Sequence, residues 1–287
     1  EAQFQSIALD GTDTLDVGAP VRAAYDFTLS EQSDRFAVEV LDEVGSVQVW
    51  IGDIARGTFS RLSRIENDCG GPGFSPDGRQ VAYVVTMGDQ TQLYRHDVSG
   101  ARPAELILRG DGRRSLRRIE HWFDDQTLRV SGFPDAEGKR VIYRVDGDAG
   151  EIEAVLDDVY HHESPRISPD GRWIAYTSWE SGRGEVYVRS WPDRDSKWQV
   201  SRNGGYIPTW SPDGSELAFE SGEALEIRVA SFEVVDGEPT IGIPVRKVAL
   251  SAGMAWPVLS PGHDRLYYAD VKQPGVLPPA KVMFNWQ

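Results

Sequence analysis

Apolar residues fall in short runs along this chain, each closed by a polar turn, and the runs return at a regular interval. Val81-Ala-Tyr83, Ile174-Ala-Tyr176 and Leu217-Ala-Phe219 occupy the same place after three identical turns, Ser75-Pro-Asp-Gly78, Ser168-Pro-Asp-Gly171 and Ser211-Pro-Asp-Gly214. Pro presets φ near −65° at the second turn position, Asp bonds to nearby backbone at the third, and Gly accepts the positive φ that closes the hairpin. The apolar residues on either side are therefore predicted to form antiparallel strands.

Weaker copies keep the same interval. Leu259-Ser-Pro-Gly-His263 precedes Leu266-Tyr-Tyr268, Leu29-Ser-Glu-Gln-Ser33 precedes Phe36-Ala-Val38, and Phe123-Asp-Asp-Gln126 precedes Leu128-Arg-Val130. Taking the serine position as the mark, held by Asp124 in one copy, gives 30, 75, 124, 168, 211 and 260. A repeat of this length is a repeated supersecondary unit. The second half of each unit repeats too, as in Gln92-Leu-Tyr-Arg95 leading through Asp97-Val-Ser-Gly100 to Glu105-Leu-Ile-Leu108. Period-two alternation around a polar turn predicts two further strands. Four strands per unit make one propeller blade.

The expected fold is thus all-β: a six-bladed β-propeller of four-stranded antiparallel blades. The last unit is one strand short, and Phe4–Leu9 is expected to supply its outer strand, with Lys281–Trp286 as another, closing the ring by joining the chain ends. A single domain over 1–287 is expected, with blades at roughly 21–65, 66–110, 111–156, 157–202, 203–250 and 251–287 plus 1–20.

Composition narrows the function. The net charge is −15, which opposes nonspecific binding to nucleic acid or to an anionic membrane. The one basic cluster, Arg109, Arg113, Arg114, Arg117 and Arg118, reads as a solvated link between the second and third blades. Cys69 is the only cysteine, so no disulfide framework exists, and it reads as a small buried filler. No apolar run approaches the length of a membrane-spanning helix, and no signal peptide is evident. The chain begins at Glu1 rather than Met, which implies a mature product or part of a longer chain with an N-terminal domain.

Little in the motifs carries chemistry. Ser75, Ser168 and Ser211 recur in equivalent turns, and a nucleophile is not needed three times. Gly73-Phe-Ser-Pro-Asp77 lacks the second glycine of a nucleophile elbow. Asp146-Gly-Asp-Ala-Gly150-Glu-Ile-Glu153 echoes a calcium loop but lacks its full ligand set. No cofactor is expected.

The residues just before each first strand are more informative, because in a propeller they ring one mouth of the central channel. Tyr25, Asp68, Glu120, His121, His161, His162, Glu163, Tyr206 and Trp256 are the candidate ligand-binding residues there. Asp26, Cys69 and Arg118 share the ring. His121 counts to the place that Pro fills in sister blades. Trp179 and Trp191, near hairpin ends, are candidate aromatic anchors for a protein contact.

The three turns with their following runs resemble the TolB-like, WD40-like six-bladed propellers of bacteria, over essentially the whole chain. Val186-Tyr-Val-Arg-Ser-Trp-Pro192, Lys197-Trp-Gln-Val-Ser201, Asn203-Gly-Gly205 and Pro208–Gly214, with Phe4–Leu9 and Val282–Trp286, are similar to propellers fused C-terminally to bacterial serine/threonine kinases. The resemblance implies an extracytoplasmic module, in the periplasm or at the cell surface, that senses or binds something. It transfers no catalytic residue.

The expectation is a non-catalytic binding or sensing module whose partner is a protein, a peptide or a small ligand, without nucleic acid or membrane insertion. One alternative is a metal-dependent lyase or hydrolase with His121, His161 and His162 as ligands, since imidazole and carboxylate suit zinc, manganese or nickel. A TolB-like oligogalacturonate lyase family gives its precedent. The other alternative is an architectural or dimerisation domain.

Overall fold

The computed structural model describes residues 2–8, 14–16, 24–32, 34–110, 112, 114–123, 126–133, 141–156, 160–191, 196–224, 226–250, 254–260 and 265–271. Among them the regular structure is all strand. β1 (Ala2–Ala8) and β2 (Thr14–Asp16) come first. β3 (Ala24–Leu29), β4 (Arg35–Leu41), β5 (Val47–Asp53) and β6 (Thr58–Arg61) form one antiparallel sheet in chain order. β7 (Asp68–Phe74), β8 (Gln80–Met87), β9 (Gln90–Asp97) and β10 (Glu105–Arg109) form the second. β11 (Ser115–Trp122), β12 (Thr127–Phe133), β13 (Val141–Asp146) and β14 (Glu151–Leu156) form the third. β15 (His162–Ile167), β16 (Trp173–Ser178), β17 (Glu185–Ser190) and β18 (Lys197–Gln199) form the fourth. The fifth contains β19 (Gly205–Trp210), β20 (Glu216–Ser221), β21 (Glu226–Val235), β22 (Glu238–Ile241) and β23 (Val245–Ala249). β24 (Met254–Leu259) and β25 (Arg265–Val271) pair with each other, and β25 pairs with β1 from Ala2↔Val271 to Ala8↔Arg265.

Two details differ from the sequence reading. The N-terminal strand is not the outer one: β1 lies directly on β25, and β2 lies outside it. The expected strand Lys281–Trp286 lies outside the described residues. The fifth sheet also has one strand more than four, because β21 outruns β20. Its first half pairs with β23 and its far end, Phe232–Val235, with β22.

The turns behave as their chemistry dictates. Ser75 Oγ donates to Asp77 Oδ1 at 2.7 Å and accepts the Gln80 amide at 2.9 Å. The same pair of bonds recurs at Ser168 with Asp170 and Trp173, and at Ser211 with Asp213 and Glu216. Ser30 does likewise with Asp34 and Arg35, although no proline or glycine marks that turn.

The first strands share an irregularity. Gly71, Ser164 and Ile207 have φ of 59°, 52° and 53°, each just before a proline, and each sits at a register shift in its ladder. Proline has no N–H to give the ladder, so the strand bulges there. At Gly71 a side chain is excluded twice, since a Cβ would also lie 2.2 Å from the Arg117 carbonyl oxygen of the neighbouring sheet.

The third sheet departs from the pattern. The Phe123 amide bonds to the Thr127 carbonyl, whereas that of Ser168 reaches Trp173, so this hairpin is one residue shorter. His121 therefore pairs with Arg129 as Arg166 pairs with Ala175. The counterpart of Pro165 is Glu120, which corrects the placement of His121 obtained by counting along the sequence.

The core lies between sheets. Val84 and Leu93 of the second sheet pack with Leu116, Leu128 and Tyr143 of the third, and Val186 and Val188 of the fourth with Leu217 and Phe219 of the fifth. Each fully buried aliphatic side chain contributes about 1.5–3 kcal/mol. The small residue of each repeat, Ala37, Ala82, Ala175 or Ala218, is at most 1% exposed, which lets neighbouring sheets approach. First strands meet in sequence: β3 with β7, β7 with β11, β11 with β15 and β15 with β19, while β24 meets β3.

Candidate functional site

Two side-chain groups stand out on the third to fifth sheets, the first toward the turn ends of β11 and β15 and the second at the entry ends of β15 and β19. The first is charged. Glu120, on β11, is buried, with Oε2 3.9 Å from Arg118 Nε and 3.8 Å from Arg166 Nη1. Arg166, on β15, also donates through Nη1 to the Glu120 carbonyl, which ties the third and fourth sheets together. Arg129 takes the place that alanine holds in sister sheets, and its guanidinium lies 4.9 Å from the Phe123 ring and 5.2 Å from that of Trp191. The His121 ring meets Phe123 edge-on at 4.4 Å. Burial, with Arg166 and Arg129 adding to it, pushes the His121 imidazole down to about 3, so it is neutral at physiological pH. Glu220, on β20 of the fifth sheet, is pushed up to about 7 by burial, with Arg118 of the third sheet opposing. Arg118 thus acts across the fourth sheet's position.

The second group is aromatic and acidic. His161 Nε2 lies 2.8 Å from Glu163 Oε1. The His161 ring stands edge-on to Trp179 at 4.6 Å, and Trp179 lies 6.0 Å from Tyr206 on the fifth sheet. Main chain fixes this arrangement, since the Trp179 amide donates to the His161 carbonyl at 3.2 Å. Behind it Glu185 is fully buried and saturated: Arg183 Nε donates at 2.7 Å, the Gly204 amide at 2.9 Å, and Ser201 Oγ also donates. Burial first, then the charges of Glu185 and Glu163, raise the Tyr206 phenol above its ordinary value.

The remaining candidates go elsewhere. Asp68 accepts from Ser46 Oγ at 3.0 Å and the Val47 amide at 2.9 Å, holding a hairpin of the preceding sheet. His162 is fully buried, edge-on to Tyr176 at 5.2 Å. Tyr25 lies on β3 and Trp256 on β24, with side chains outside the described residues. His121, His161 and His162 face different neighbours, Phe123, Trp179 and Tyr176, and among the described residues no three His, Cys, Asp or Glu side chains group to hold an ion. Burial pushes the Cys69 thiol up to about 11, which keeps it protonated.

Counting along the sequence missed Arg129, Arg166 and Glu220, which belong to later parts of their repeats. Trp179 was legible only as an aromatic at a hairpin end. A cavity of about 410 Å³, lined by Asn203, Phe219, Arg228 and Ile243 among others, adjoins the loops that carry the aromatic group. Exposed Val234 and Val235 lie at the far end of β21, Ile243 in the link after β22, and Val245 at the start of β23.

No protein-family profile matches the chain. Among curated relatives, the Tol-Pal system protein TolB of Anaeromyxobacter sp. (strain K) is 25% identical over 177 residues, covering 56% of this chain and 41% of the relative. The chain thus aligns with about two fifths of that relative's length. Among solved structures, one from Agrobacterium tumefaciens described as a TolB has a TM-score of 0.67 at 17% identity, covering 94% of this chain and 97% of that one. A prolyl endopeptidase structure has a TM-score of 0.53 at 15% identity, covering 83% of this chain and 36% of that one. The fold is that of a TolB-like β-propeller. The resemblance to kinase-linked propellers is not what these comparisons bring out.

Proposed function

We propose that this chain is a six-bladed propeller, closed where β1 joins β25, that binds a protein partner at the channel mouth without catalysis. The observation that carries the reading is the meeting of His161, Glu163, Trp179 and Tyr206, from two sheets, at the entry ends of their first strands. Rigid sheets hold loop-borne polar and aromatic groups there, an arrangement suited to recognition. The TolB relative is named as part of a Tol-Pal system, which supports a protein as the partner class. An extracytoplasmic location follows the same resemblance.

Capture of partners from an envelope extract of the source cell, by wild type and by Tyr206→Ala, tests the reading. One partner that is retained by wild type and lost by the variant supports it. A partner retained equally by both moves binding away from the mouth.

A further inference from the structure

The aromatic group at the mouth has the composition of a cation receptor. Trp179 presents a partly exposed indole, flanked by the His161 ring at 4.6 Å and the Tyr206 ring at 6.0 Å. Tyr206 is seated against glycine: a Cβ at Gly184 would lie 2.2 Å from its Cε1, and one at Gly222 3.1 Å from its Cε2. Glu163 stands beside His161, and with Glu185 it is one of the two carboxylates whose charge Tyr206 feels. Aromatic faces attract an ammonium or guanidinium group through their quadrupole, most strongly at tryptophan, and a nearby carboxylate adds to the attraction.

Two of the chain's own cations, Lys197 and Arg183, are engaged elsewhere. Lys197 pairs with Glu180 Oε2 at 2.5 Å and lies over Tyr187. Arg183 is held by Glu185 and by the Arg202 carbonyl. Among the described residues no cation lies over the Trp179 or Tyr206 ring. The net charge of −15 draws a basic partner toward the surface, and the aromatic group gives that attraction a definite end point.

We propose that Trp179, Tyr206 and His161, with Glu163, receive a lysine or arginine side chain of the bound protein. This rests on the mouth being the binding site and adds the chemistry of what enters it. The His161–Glu163 contact fixes the imidazole beside the indole, so the carboxylate stands next to the aromatic group.

The probe is acetyl-trilysine amide, followed by calorimetry at low salt, with the acetyl-lysine analogue as its uncharged counterpart. The proteins are wild type, Trp179→Ala, Trp179→Phe, Glu163→Gln and Glu238→Gln, the last on the distant β22. The expected result is one-to-one binding to wild type and none of the uncharged peptide. Binding should weaken about tenfold or more in Trp179→Ala, about threefold or less in Trp179→Phe, and by an intermediate amount in Glu163→Gln. Glu238→Gln should match wild type. Equal binding by all five proteins means diffuse attraction to an acidic surface and overturns the proposal, as does absence of trilysine binding to wild type. Melting curves show whether Trp179→Ala is folded; should it not be, the ordering of Trp179→Phe, Glu163→Gln and Glu238→Gln decides. A captured partner that is lost in Tyr206→Ala but not displaced by trilysine leaves the mouth as the binding site and removes only the cation.

Discussion

The ring of Tyr206 occupies the space that Gly184 leaves open. A Cβ at 184 would stand 2.2 Å from Tyr206 Cε1, closer than any real contact, so a feature of the fourth sheet decides where a fifth-sheet side chain rests. Close by, Gly204 and Gly222 pack backbone to backbone, since a Cβ on Gly204 would lie 2.8 Å from the Gly222 Cα. Gly184→Ala should therefore displace the phenol and cost about 1–3 kcal/mol from overpacking. The expected readout is a melting temperature lower by several degrees together with loss of partner capture. An unchanged melting temperature would mean that the ring moves aside at no cost.

Glu185 holds the loop leading to Tyr206. Its counterpart in the first sheet is Gln48, whose Oε1 accepts from Ser63 Oγ at 2.7 Å as Glu185 accepts from Ser201. Both serines also accept a strand amide, Val49 at 3.0 Å and Val186 at 2.8 Å. An amide thus does the same work in this fold. Glu185→Gln should lose little stability, whereas Glu185→Ala strips partners from Ser201, Gly204 and Arg183 and should cost about 2–4 kcal/mol. Urea denaturation of the two variants separates them, and equal losses would contradict the equivalence.

Glu220 makes stability fall as pH rises toward neutrality. Its carboxyl is raised from 4.5 to about 7, chiefly by burial, so the folded state holds the proton more tightly than the unfolded chain does. The resulting stabilisation is full below pH 4.5 and is lost as pH rises through about 7. Glu220→Gln should remove this slope, gaining on the order of 2 kcal/mol over wild type at pH 8. Parallel denaturation profiles from pH 5 to 8 would show that the carboxyl titrates normally.

His121 acts on the acid side. Its imidazole is lowered from 6.5 to about 3 by burial, then by Arg166 and Arg129, so the folded state resists protonation. That contribution is present above pH 6.5 and is lost as pH falls toward 3. His121→Gln should lose less stability than wild type between pH 7 and 4, by about 2–3 kcal/mol. Following the His121 ring by NMR through the same range gives a direct check, since a mid-range titration would mean that solvent reaches it.

Much of the fold was legible because its signals are local. The Ser-Pro-Asp-Gly turns and the alternating runs announced the hairpins, and even the degenerate Ser30 turn kept the bonding pattern. Legibility failed where a unit changed length. One residue fewer in the Phe123–Thr127 hairpin shifted His121 by one place, and the long β21 hid an extra strand. Of the candidate site, His161, Glu163 and Tyr206 came together. Asp68 bonds to a hairpin of the preceding sheet and His162 packs against Tyr176, placements that residue type alone does not foretell.

Turn chemistry, strand alternation and the near 45-residue interval were determined by the sequence alone, because each depends on residues only a few places apart. Tertiary structure decided which charges and rings meet. Arg166 reaches Glu120 and Trp179 leans toward Tyr206 only because consecutive sheets pack face to face, and Arg118 senses Glu220 from two sheets away. The side chain that enters the space beside a glycine comes from a different repeat, and the glycine's own neighbours in sequence say nothing about it.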